Sequence, residues 1–144
     1  MLEQTIPARR AVLAHLKGDT GLAALVPPAR IYPQSTPPGP TWPFTRFGTP
    51  RATPLRASCV AGNEIPFDIH SFAKPRMSGG QVVETAEDHA GRIGAAVVAA
   101  LDGQALDLPA GRLKVRWVGS QLMQDPEEAD AYHHVASFTG RVLA

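Results

Sequence analysis

Between Ser78 and Gly103 the apolar residues Val82, Ala86, Ala90, Ile93, Val97 and Leu101 recur at spacings of three and four. That is the period of one face of an α-helix. Ser78 and Gln81 have the spacing of a capping box, in which each residue satisfies a free N–H of the other. Glu84, Glu87 and Asp88 place negative charge near the positive end of the helix dipole. Gly103 stands where a left-handed stop is expected. The pattern predicts one amphipathic helix from Ser78 to Gly103. Such a helix must bury its apolar face, and three alternating runs are available to it: Ile65–Phe72, Leu113–Val118 and Tyr132–Leu143. The predicted fold class is therefore α+β, a mainly antiparallel sheet with one long helix packed across it, plus N-terminal helices.

The first of those N-terminal helices is predicted at Thr5–Leu16, with Thr5 as cap and Pro7 in the first turn, where no intrahelical N–H bond is lost. Ile6, Val12, Leu13 and Leu16 form its apolar side, and Gly18 ends it. Asp19 opens a short second helix through Leu22, Leu25 and Val26, stopped by Pro27 and Pro28. Arg30–Pro33 reads as a brief extended piece. Nine of the fourteen prolines fall between Pro27 and Pro54, so the 144 residues read as one domain with a Pro-rich arm at about 33–62. Within it, Phe44–Phe47 is a short alternating strand, placed at an edge by Pro43 and Pro50. Pro50–Asn63 is a long loop or an irregular hairpin arm. Lys74–Gly80 connects the Ile65–Phe72 strand to the long helix, Asp107–Gly111 is a turn, and Asp125–Asp130 is an acidic loop. The last two strands can pair as a long hairpin.

Little in the chain points to chemistry. The formal net charge is +1, which calls for neither nucleic acid nor an anionic membrane. No apolar run is long enough to span a bilayer, and Arg9 and Arg10 interrupt any leader-like segment. Cys59 is the single cysteine, so no internal disulfide forms, as suits a reducing cytoplasm. His133 and His134 are adjacent and in a strand point to opposite faces. His70 and His134 could meet across neighbouring strands, but no Cys, Asp or Glu is spaced to complete a metal site. His89 lies among acidic residues and reads as part of a solvated face. Gly79-Gly80 lacks the residues of a phosphate loop and reads as a turn. These features predict no catalytic residue, cofactor or metal.

The candidates that remain concern binding. Trp42 either anchors a partner or folds back onto the core. Thr20–Asn63 holds Arg30, Arg46, Arg51 and Arg56 and no acid, whereas Asp125, Glu127, Glu128 and Asp130 form a compact acidic patch. Both sets are solvated loops by default. As functional surfaces, Trp42, Arg46, Arg51 and Arg56 and the acids Asp125, Glu127, Glu128 and Asp130 would meet between subunits.

The order of these features resembles that of the tail-terminator, or tail-completion, proteins of long-tailed phages and gene transfer agents. The resemblance rests on the N-terminal helix, Asp19–Val26, Arg30-Ile31-Tyr32 and a variable arm. It continues with Phe67-Asp68-Ile69-His70-Ser71-Phe72 before the long helix and with the closing strand His133–Arg141. It implies a structural protein without catalysis or cofactor. Subunits would assemble as a homo-oligomeric ring, a hexamer, that caps the tail tube and stops its polymerisation. The implied partners are the major tail tube protein and the head–tail connector, with DNA passing through the ring without sequence-specific binding. The implied location is the host cytoplasm during assembly and then the particle. Two other classes are weighed beside it: a head-completion or stopper connector, and an α+β enzyme or ligand-binding domain, which would need a concave site with convergent polar groups.

Overall fold

A computed structural model describes residues 2–57 and 60–143; Cys59 lies outside the described residues. The elements run α1 (Thr5–Lys17), α2 (Thr20–Ala23), β1 (Ile31–Tyr32), β2 (Phe44–Phe47), β3 (Thr53–Ala57), β4 (Val60–Ala73), β5 (Arg76–Ser78), β6 (Gln81–Glu84), α3 (Ala86–Leu101), β7 (Ala105–Asp107), β8 (Arg112–Gln124) and β9 (Tyr132–Leu143). The fold is α+β. The main sheet has the order β1-β2-β4-β9-β8-β7, with β3 paired to β4. All its pairings are antiparallel except β1 with β2. One long helix, α3, packs across β9, β4 and β8, and the N-terminal helices pack beside it.

The long strands follow the alternation of the sequence. On β4, Ile65, Phe67 and Ile69 point to the helix side and are buried, as are Ala136, Phe138 and Val142 on β9. Phe67 lies directly opposite Phe138 in the register. Phe47, Phe67 and Phe138 stack across three strands, with ring centroids 5.2 and 5.4 Å apart. Against this layer α3 presents Ala86, Ala90, Ile93, Val97 and Leu101, all buried. Those five residues are the face predicted from the spacing. Gly103, at φ 78°, follows the end of the helix.

The start of α3 differs from the expectation. Ser78 and Gln81 do not form a capping box; they are the paired ends of a hairpin. Gly79 and Gly80 both have positive φ, 56° and 78°, the backbone that a two-residue turn matching the strand twist requires. Val82 consequently stands in a strand and is exposed. The cap is Thr85, whose Oγ1 accepts from the Asp88 N–H at 3.2 Å. Glu84 ties the hairpin to the helix: Arg76 Nε donates to it at 2.8 Å, and Arg92 donates twice, each at 2.9 Å. The hydrogen bond from Arg92, aided by Arg76, pushes the Glu84 carboxyl down to about 2. Its contribution to stability is present above the usual carboxylate pKa and is lost as pH falls towards 2.

Smaller differences have similar local causes. Thr5 is the first residue of α1 rather than its cap, and Ile6 faces solvent while Ala8 takes the buried position. Asp19 does cap α2, accepting from the Leu22 N–H at 2.8 Å. β2 is covered on its outer side by the two residues of β1. Pro50–Asn63 resolves into the β3–β4 hairpin. β8 continues well beyond Val118, and its register shifts between Trp117 and Gly119. That bulge carries the strand outward, so Trp117 is exposed although Leu113 and Val115 are buried.

Helix and sheet approach closely at Gly94, where an added Cβ would overlap the His134 ring. Gly91, one turn earlier, would meet only Leu122 Cδ2 at 3.9 Å. The two glycines should therefore respond oppositely to the same change. Gly91→Ala should raise stability by about 0.5–1 kcal/mol through helix propensity. Gly94→Ala should lower it by about 1–3 kcal/mol through overpacking. Urea unfolding of the two variants checks this, and a stabilised Gly94→Ala protein would show that the helix stands further from β9.

Candidate functional site

The face of the sheet turned away from α3 carries a second aromatic layer, at the end where β2, β4 and β9 meet. It uses the alternate residues of the same strands: Phe44 and Arg46 on β2, His70 and Phe72 on β4, His133 on β9. Phe44 stacks on Phe72 at 4.7 Å, and Phe72 on His133 at 4.1 Å. Trp42 meets Phe44 edge-on at 5.0 Å. It has folded back onto the protein and remains half-buried at the rim. Two cations lie on these rings. The Arg46 guanidinium sits 5.6 Å from the Phe72 centroid, and Lys74 Nζ sits 5.0 Å from that of Trp42.

The acidic β8–β9 loop closes the other side. Asp125 Oδ1 accepts from the Glu127 and Glu128 N–H groups at 2.8 and 3.1 Å, which fixes the loop as a turn. Glu128 lies 3.7 Å from Lys74 Nζ. Between the loop and the aromatic layer is an open cleft of about 520 Å³. Of the candidates read from the sequence, Trp42, Arg46, Asp125, Glu127 and Glu128 line this one cleft. Arg51, Arg56 and Asp130 do not. Arg51 follows β2, with its N–H bonded to the Pro66 carbonyl, and Arg56 lies on β3 opposite Ala61. The arginine-rich segment is thus divided: Arg46 stands beside its own subunit's acids, and Arg51 and Arg56 are placed elsewhere.

The histidine partnership differs from the one expected. His70 meets His133, not His134, with Nδ1 and Nε2 2.7 Å apart. Alternation shows that the two adjacent histidines face opposite ways; only the register shows which of them shares a face with His70. One ring must donate and the other accept, so the two rings cannot both be protonated while this bond is made. His134 is buried against Gly94, and its Nδ1 has no partner among the described residues. His89 is not on a solvated face: it is buried, with Nδ1 2.9 Å from the Lys74 carbonyl. Among the described residues no three His, Cys, Asp or Glu side chains are grouped to hold a metal. Ser71 and Thr45 are buried and bonded to each other at 3.1 Å. The Ser137 hydroxyl donates to Asp68 at 2.8 Å. Among the described residues neither serine is hydrogen-bonded to a histidine. What the cleft presents is flat rings, stacked cations and an acidic rim.

A model of the family described as tail completion protein gp17 matches residues 10–143. Among solved structures, a chain from the virion of a native gene transfer agent particle is 26% identical. It covers 94% of each chain, at a TM-score of 0.74. A second solved chain is 19% identical over 96% of this chain and 91% of its own, at a TM-score of 0.53, and shares the fold. No curated protein matches. No helix among the described residues is long and apolar enough to cross a membrane.

Burial and neighbouring charge favour the neutral forms of three imidazoles on the sheet. Burial, the Arg46 charge and His133 lower the His70 pKa to about 4, against a smaller opposing effect of Asp68. Burial and Arg46 also lower His133, with Asp125 opposing; burial lowers His134. The unfolded chain therefore binds these protons more readily than the folded one. Their contribution to stability is present above about pH 6.5 and is lost as pH falls from there towards 4. The melting temperature should drop by several degrees between pH 7 and pH 5, and a His70→Gln/His133→Gln variant should show a flatter profile over that range. Equal slopes for the two proteins would mean that the pair does not control the transition.

Proposed function

The chain belongs to the tail completion protein gp17 family, and from that membership we propose that it is a tail terminator. The family is a structural one of the virion tail, not a family of enzymes. The observation that carries the reading is the match over residues 10–143, together with a 0.74 TM-score to a chain of a gene transfer agent virion. In this reading, subunits close into a ring, with six as the working number. The ring caps the tail tube, stops its polymerisation and presents its other side to the head connector. DNA passes through the opening without sequence-specific contacts. Assembly takes place in the host cytoplasm and the ring stays in the particle. The geometry supports this by what it supplies: an open cleft lined by aromatic rings and charge.

The role has a direct test. Particles assembled without this protein should carry tails of irregular and excess length that fail to join heads, seen by negative-stain microscopy. Tails of normal length still lacking heads would instead point to a stopper or connector, and normal joined tails would remove the protein from tail completion altogether.

A closed ring needs two different surfaces on each subunit. The acids of the β8–β9 loop and the arginines Arg51 and Arg56 occupy separate places on one subunit. Placed apart on one subunit, they can pair across a boundary, where Glu128 would share its charge between Lys74 and the neighbour. Each exposed pair contributes about 0–1 kcal/mol, so only several together would matter. Ring assembly followed by sedimentation should weaken as salt rises. Glu127→Lys/Glu128→Lys should weaken it, as should Arg51→Glu/Arg56→Glu, and combining the two reversals should recover part of the loss. Indifference to salt and to both reversals would show that these charges are only solvated.

A further inference from the structure

Two stretches of the chain are left with unmet bonding capacity by their own fold. The first is the outer edge of β8. β7 covers only Arg112–Lys114. The turn after α3 extends that cover through Gly103 N–H to the Val115 carbonyl, Val115 N–H to the Gln104 carbonyl, and Trp117 N–H to Asp102. Past Trp117, no strand pairs with this edge among the described residues. The open stretch reads Val-Gly-Ser-Gln-Leu-Met-Gln, Val118–Gln124, with no charge and no proline. Those are the devices by which monomeric proteins keep a free edge from pairing. Beside it on the helix face, Trp117 and Leu122 are 43% and 47% exposed.

The second is the β5–β6 hairpin. It forms a sheet of its own, and an isolated two-stranded hairpin is marginal in water. Met77 and Val82 lie opposite each other and are 57% and 55% exposed, and Val83 is exposed with them. Its described ties to the body are the bonds from Arg92 to Glu84, at the base of the hairpin and away from its tip.

We propose that the β5–β6 hairpin of one copy adds to the open β8 edge of the next copy, so that the sheet continues across the subunit boundary. A second copy fits better than a foreign strand because one chain carries both unmet surfaces, and a single contact satisfies both. The paired stretches, Met77–Val83 and Val118–Gln124, contain no charge, so neither desolvates an ion on docking. Backbone hydrogen bonds would supply affinity, and the exposed aliphatic residues would close over Trp117 and Leu122. Hairpin and edge are different patches, so the contact is heterologous and repeats head to tail. The inference rests on the ring proposed above and names the contact that builds it. A β8–β8 pairing would be two-fold symmetric and would stop at a dimer.

The test uses the full chain with Cys59→Ser as background, carrying Val82→Cys, Leu122→Cys or both. Each position is exposed, so melting should match the background. A short bismaleimide tolerates uncertainty in register. Mixing the two single variants should give a mixed cross-linked dimer, and the double variant should give a ladder ending at the ring number. Leu122→Lys should weaken assembly at least tenfold with melting unchanged. A ring that sediments normally but yields no cross-link, or whose assembly ignores Leu122→Lys, overturns this contact and leaves the ring standing. Cross-linking of Leu122→Cys to itself assigns the edge to a two-fold dimer and also overturns it. Absence of any ring removes both readings.

Discussion

The antiparallel ladder of β4 with β9 is the constraint on which the rest of the subunit depends. It runs unbroken from Gly62 opposite Leu143 to Ala73 opposite Tyr132. Its helix-side residues, Ile65, Phe67 and Ile69 with Ala136, Phe138 and Val142, are the floor on which α3 lies. Each of the Ile, Phe and Val side chains contributes about 1.5–3 kcal/mol on burial. A slip of one residue would turn all of a strand's inward residues to the other face, losing the Phe67–Phe138 stack and the seat of Ile93 together. The ring of His134 also enters this layer and occupies the space that Gly94 leaves. Position and tilt of α3 thus follow from the ladder rather than from the helix.

The same register builds the cleft on the opposite face. Once Phe67 and Phe138 are fixed inward, His70, Phe72 and His133 must point outward, and β2 brings Phe44 and Arg46 alongside. The charge arrangement there is conditional on neutral imidazoles. Arg46 faces two rings whose protonation it opposes, while Asp68 and Asp125 partly offset it. A neutral His70–His133 hydrogen bond lets the cation lie over Phe72 without a like charge beside it. Core packing and surface chemistry are therefore set by one pairing.

The sequence made this layout legible where burial follows a period. The inward faces of α3, β4 and β9 appear as spacings of Ile, Val, Leu and Phe, and β9 was readable from end to end at Tyr132–Leu143. It was misleading where a local motif competes with the period. Ser78-Gly-Gly-Gln81 satisfies the composition of a helix start, but two glycines in succession favour a positive-φ turn, and the real cap is Thr85 seven residues later. The candidate cleft was half legible. Trp42, Arg46 and the acidic loop were visible as residue types in segregated stretches. Their meeting depends on β2 lying beside β4, a pairing between segments more than twenty residues apart that no local pattern encodes. The His70–His133 contact was hidden for the same reason.

The places where those local rules fail have a common character. Val82 continues the helical period yet stands in a projecting hairpin; Trp117 continues the alternation of Leu113 and Val115 yet is carried into solvent by a bulge. In a subunit meant to remain alone, both would be errors, since exposed apolar groups and an unguarded edge favour association. Natural chains depart from local consistency mainly where function requires it. Here the departures do not fall on the cleft with the aromatic floor, nor on the core, but on the separate β5–β6 hairpin and on the outer stretch of β8. A protein whose tail-completion family implies work in an assembly would carry its irregularities there. The ladder makes one rigid subunit, and the unsatisfied margins are what would make that subunit incomplete without its neighbours.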